Sequence, residues 1–155
     1  MGDVLSALPF GQTIVVATMN GRSLKRMMEL SVAAYNDSSP AGSFLHVSGM
    51  KVVFDMTRPA NQRLVQLQIL CTRCYVPVYE DVRDDAVYSV ATTDFLAKGG
   101  DGFDVCANVS EGGPVEYELL VDYIKQMSPI KAAIEGRVVL QGIKTKAVVE
   151  TELTY

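Results

Sequence analysis

The chain has 155 residues, 48% of them hydrophobic and 21% charged, and a formal net charge of −4. That length and composition fit one globular domain with its own core. Acids and bases are interspersed, with no basic stripe to suit nucleic acid. Apolar runs such as Ile14-Val15-Val16-Ala17 are too short to span a bilayer.

In chain order, Asp3 to Leu8 reads as one or two helical turns halted by Pro9. The start Met1-Gly2, with Ser6, satisfies the bare myristoylation pattern, but Leu5, Leu8 and Phe10 read instead as a packed helix. No signal-peptide pattern opens the chain, and no lipid-anchor signal closes it. Thr13 to Met19 is a β-branched run fit for a buried strand. A helix follows, capped by Asn20, with Leu24, Met27, Met28 and Tyr35 on its apolar face. The stretch 36–43 has loop composition. Strands are predicted at Phe44 to Val47, Lys51 to Met56, Arg63 to Leu70 and Val87 to Ala91. Leu119, Leu120, Tyr123, Ile124 and Met127 mark an amphipathic helix between Pro114 and Pro129. Arg137 to Leu140 and Ile143 to Val149 are predicted as final extended segments. The fold class is α+β, a layered sandwich with a mixed sheet flanked by helices, over residues 1–155 as a single domain.

Of three cysteines, Cys71 and Cys74 form a Cys-x-x-Cys. Three readings stand: a redox pair, part of a metal site, or a disulfide stapling a turn. A zinc site would have to recruit Cys106 and His46, neither at paired spacing. The disulfide reading is favoured and implies an oxidising compartment. Asn-x-Ser sequons at Asn36 and Asn108, candidate glycosylation acceptors, lean the same way. The acidic pairs Glu80-Asp81 and Asp84-Asp85 read as solvated loop, and His46, the one histidine, as a packed or rim residue.

The most informative stretch is Thr93-Asp94-Phe95-Leu96-Ala97-Lys98-Gly99-Gly100-Asp101-Gly102-Phe103. Its glycines permit a sharp bend that pushes Asp101 outward. An ionised carboxylate accepts two donors, which suits a vicinal diol. Taken alone, Gly99-Gly100-Asp101-Gly102 favours a plain tight turn, and it is no phosphate loop. The second stretch sets Phe10 between Pro9 and Gly11, where a ring is not forced inward. Two rings such as Phe10 and Phe95 could clamp a planar base, although composition alone assigns each to the core.

The ordered set Leu8-Pro9-Phe10-Gly11-Gln12-Thr13, Val47 to Asp55, Cys71-Thr72-Arg73-Cys74, Asp94 to Phe103 and Ile134 to Val138 resembles animal ecto-5′-nucleotidases and secreted apyrases. Specifically, it is similar to their C-terminal, nucleoside-binding domain. The resemblance implies a purine nucleoside or nucleotide held between Phe10 and Phe95, with Asp101 on the ribose hydroxyls and Gly99 and Gly100 also in the substrate-binding site. It also implies a Cys71–Cys74 disulfide, an extracellular protein and, in some members, a homodimer. The divalent metals, zinc or similar, and the hydrolysis would belong to an N-terminal metallophosphoesterase domain. This stretch would then bring no cofactor or catalytic residue of its own, and the isolated chain would be inactive. The family's Asn and Arg contacts to base and phosphate would come from upstream too. The family usually shows Asn before the second Phe; Asp94 here adds a negative charge near Asp101, an expected handicap for an anionic ligand.

Overall fold

The computed structural model describes residues 2–36, 38–39, 41–131 and 133–143. A short helix α1 (Gly2–Ala7) leads into strand β1 (Ile14–Asn20) and helix α2 (Gly21–Ala33). Strands β2 (Met50–Asp55), β3 (Leu64–Leu70), β4 (Tyr79–Asp81) and β5 (Val87–Thr93) follow. Helix α3 (Asp94–Ala97) runs into a 3₁₀ turn at Gly100–Gly102, and α4 (Glu116–Met127) precedes β6 (Val138–Gln141).

The strands form two sheets. One is the antiparallel pair β1–β5; the other is four-stranded and mixed, in the order β4-β3-β2-β6, with β6 parallel to β2. Helix α2 contacts both, through β1 and β3. Asn20 caps it as its sequence suggests, its side chain accepting from Ser23 N at 2.8 Å. Leu24, Met27, Met28 and Val32 fall on one face and are buried with Met19, Val52, Phe54, Leu67, Val82 and Phe103 in a common core. The flexible Met side chains fill the irregular space between helix and sheets. At the other end of α2, Glu29 accepts from the amides of Arg63 and Leu64, and Arg63 Nη1 donates to the Val32 carbonyl. The start of β3 is thereby fixed against the helix's last turn.

Several expectations need correction. Phe44 to Val47 joins no ladder; Phe44, Leu45 and Val47 pack on the core without strand partners, since β-type composition favours packing as much as pairing. Glu80 and Asp81 belong to β4 rather than to a loop, although both are exposed. Tyr35 lies beyond the end of α2, against Phe44 at 6.2 Å between ring centroids. Helix α1 lies against α4 without entering the core: no residue in it is buried, and Leu5 is exposed. Helix α4 forms where its period predicts, yet Leu119, Tyr123, Ile124 and Met127 are all exposed. A helical period reports an apolar stripe; what covers it is a tertiary matter. Of the last predicted extended segment, all but Ile143 lies outside the described residues.

Among the described residues no helix is long and apolar enough to cross a membrane. Cys71 and Cys74 are joined as a disulfide at the β3–β4 hairpin, where Cys71 N also donates to the Val78 carbonyl. Among the described residues, a Glu80 carboxylate oxygen lies within 4.8 Å of both sulfurs, which the disulfide already occupies. Cys106 is a half-buried thiol whose pKa burial pushes up. Asn36 and Asn108 are exposed. Asn36 Oδ1 accepts from Ser38 N, and Ser110 Oγ accepts from Val16 N. His46 is at the rim, exposed and edge-on to Phe44.

Candidate functional site

The pairing of β1 with β5 brings together two segments far apart in sequence. The ladder runs from Asn20↔Val87 to Ile14↔Thr93, so the loop that enters β1 stands beside the turn that leaves β5. Phe10 lies on the first of these and Phe95 on the second. Both line an open cleft of about 600 Å³ with Gly11, Gln12, Thr13, Asp94, Lys98, Gly99 and Gly100. Neither ring is in the core, contrary to what composition alone assigns: Phe10 is 80% exposed and Phe95 44%. An aromatic ring kept out of the core at the mouth of a cleft offers its face to a planar ligand.

Local chemistry explains the exposed positions. Pro9 cannot extend α1, and Gly11 turns the chain at φ 61° into β1. Across the cleft, Thr93 Oγ1 accepts from Leu96 N and caps α3, which carries Phe95 on its first turn. Gly100 lies directly under that ring: a Cβ there would stand 2.5 Å from Phe95 Cε1. Gly99, at φ 94°, and Gly102, at φ 83°, bend the chain around Asp101, itself left-handed at φ 52°. The following residue, Phe103, is fully buried and anchors the far end of the turn.

The two rings, Gly99 and Gly100 thus meet in one cleft. Asp101 sits on the turn immediately after Gly100, exposed, and does not line the cleft wall. Sequence reasoning gave no site role to Gly11, Gln12, Thr13 or Lys98; the one signal for them was their place inside the same two motifs. Asp94 is not a bare added charge. Its Oδ2 accepts from Lys98 Nζ at 2.8 Å and its Oδ1 from Thr13 N at 3.2 Å. The bond from Lys98 is the largest influence on this carboxyl and burial opposes it; with the Thr13 amide and the Lys98 charge adding to the bond, the carboxyl is held below its ordinary value. Of the two acidic pairs, Asp81 accepts from Gln68 Nε2, and Asp84 pairs with Lys25 at 2.7 Å.

A family model described as 5′-nucleotidase, C-terminal domain, matches residues 1–108. The 5′-nucleotidase of Mus musculus is 38% identical over 139 residues, 88% of this chain and 24% of the relative. A snake venom 5′-nucleotidase of Macrovipera lebetinus is 37% identical over the same length, covering 34% of that protein. Among solved structures, a 5′-nucleotidase precursor from Thermus thermophilus superposes with a TM-score of 0.83 at 31% identity, over 92% of this chain and 28% of that one. The chain therefore spans about a quarter to a third of the relatives it matches. With the shared fold, and a family match over most of its length, the chain belongs to the 5′-nucleotidase C-terminal domain family.

Proposed function

We propose that this chain is the nucleoside-recognising part of a secreted nucleotide-hydrolysing enzyme, a 5′-nucleotidase or apyrase. In this reading a purine base stacks between Phe10 and Phe95, and Asp101 takes the ribose hydroxyls at the end of the glycine turn. The observation that carries it is the pair of exposed rings lining one cleft. Stacking contributes about 1–3 kcal/mol per base. Phosphate release would belong to a metal-bearing N-terminal metallophosphoesterase domain, whose paired ions activate water and steady the developing charge. Support for secretion comes from the Cys71–Cys74 disulfide, from the exposed sequons at Asn36 and Asn108, and from the venom origin of one relative.

Calorimetry of the purified chain with adenosine and AMP tests the reading. Phe10→Ala and Phe95→Ala should each weaken adenosine at least about fivefold, the lower end of the stacking range, with an unchanged melting temperature for the more exposed Phe10. Adenosine binding indifferent to both substitutions would refute the clamp. Sustained phosphate release from AMP, ADP or ATP with zinc, magnesium or calcium would refute the division of labour.

A second reading, a non-catalytic dimerisation module, is favoured by one observation: the exposed stripe of Leu119, Tyr123, Ile124 and Met127 on α4. Sedimentation of the wild-type chain and of a Tyr123→Glu, Met127→Glu variant separates the two; a monomeric wild type would dismiss the dimer.

A further inference from the structure

The two walls of the cleft are joined where the β1–β5 ladder ends. Beyond Ile14↔Thr93 the β1–β5 ladder ends and the strands part, one toward Phe10 and the other into α3. One more backbone bond follows, from Asp94 N to the Thr13 carbonyl at 2.8 Å. In an antiparallel pair the reciprocal bond would run from Thr13 N to a main-chain carbonyl. Here the chain has already turned into the helix, and the acceptor for Thr13 N is the Asp94 carboxylate, through Oδ1 at 3.2 Å. A side chain thus substitutes for the last rung of the sheet, which lets the backbone leave the ladder while staying tied to it. The other oxygen, Oδ2, is held by Lys98 one helical turn on, at 2.8 Å. Asp94 immediately precedes Phe95, and Thr13 is three residues past Phe10, so this joint is next to both rings.

Resting on the nucleoside reading above, we propose that Asp94 is a positioning residue of the cleft, setting the spacing of Phe10 and Phe95 through its bond to the Thr13 amide. Its role is one of shape and reach. The amide of Asn can accept the same bond from Thr13 without a charge, whereas Glu keeps the charge but carries its oxygens one methylene further out. Purely electrostatic action on a ligand would rank the two variants the other way.

The test compares Asp94→Asn and Asp94→Glu in the purified chain, by two readouts. Amide hydrogen exchange at Thr13, measured by NMR without ligand, reports the joint itself. Titration with 2-aminopurine riboside, whose fluorescence is quenched by stacking, reports the ring spacing through affinity and through residual emission at saturation. Asp94→Asn should keep both within about threefold of wild type. Asp94→Glu should speed Thr13 exchange and weaken the probe by about 10-fold or more, with brighter saturated emission, because losing the stacking on one ring costs about 5- to 150-fold in affinity. Thr13 exchange unchanged in Asp94→Glu, or Asp94→Asn impaired more than Asp94→Glu, would overturn the proposal. Should the wild-type chain fail to quench the probe, the nucleoside reading falls. The spacing role falls with it, and Thr13 exchange then decides only whether the joint exists.

Discussion

Gly100→Ala displaces one wall of the cleft while leaving every polar group in place. The added Cβ would lie 2.5 Å from Phe95 Cε1 and 2.6 Å from Cδ1 and Cζ. Carbon atoms in contact rest ~3.5–4.0 Å apart, so the ring must retreat by about 1 Å. The backbone of Gly100 is not left-handed, so alanine brings no strain of its own there. Phe95 is 44% exposed and has solvent to move into, which keeps the stability change within about 1 kcal/mol. Binding is more sensitive, since the stacking that the ring supplies is worth about 1–3 kcal/mol per base; a loss of about 10- to 100-fold in adenosine affinity is expected. Paired thermal melts and calorimetry read both quantities. A folded Gly100→Ala protein that binds adenosine as wild type does would refute the reasoning, because the ring would then not define the site. A drop in stability well beyond 1 kcal/mol would show the ring to be locked, which contradicts its exposure.

Replacing both Cys71 and Cys74 with Ser opens a short loop, for which chain entropy gives about 2 kcal/mol. Differential scanning calorimetry should show the melting point falling by about 4–8 °C, with adenosine affinity unchanged since the hairpin is on the other sheet. Phe103→Ala should cost about 3–5 kcal/mol in urea unfolding, as its ring is fully buried, and should weaken ligand binding by releasing the glycine turn; a loss below about 1 kcal/mol would contradict its burial. Three carboxylates have pKa values lowered from 3.8: Asp55 by its bond from Thr57, Asp84 by Lys25 and Asp94 by Lys98. Their stabilising effect is present above the unfolded value of 3.8 and is lost as pH falls through the lower folded values. Melting temperature should therefore hold from pH 7 to about 5 and fall below about 4; a flat profile down to pH 3 would contradict all three pairings.

Local signals were enough for α2, where Asn20, the paired methionines and the apolar spacing all agree with the observed helix. They also located β1, β2, β3 and β5, because β-branched and alternating runs carry their own period. Strand β4 is three residues long and acidic, too short for alternation to register. Phe44 to Val47 has strand composition, but composition reports a fit to a half-buried surface and not a pairing partner, and the segment packs on the core instead. The cleft was legible only as two separate motifs. Their meeting depends on β1 pairing with β5, a non-local contact that no window of sequence contains. The Asp94–Thr13 joint was hidden for a related reason: a carboxylate read as surplus charge in one dimension becomes a rung of a sheet in three.

The β1–β5 pair carries the aromatic cleft, whereas the four-stranded sheet carries the cysteine staple and, with α2, most of the packed interior. Recognition and most of the cohesion are therefore housed in different parts of one scaffold, with Phe103 serving both. Substitutions that retune ligand choice along the rim of β1 and α3 need not erode the thermal reserve held by Phe54, Met28 and their neighbours. Such a layout leaves room for selection, or for a designer, to vary what is bound while the body of the molecule endures.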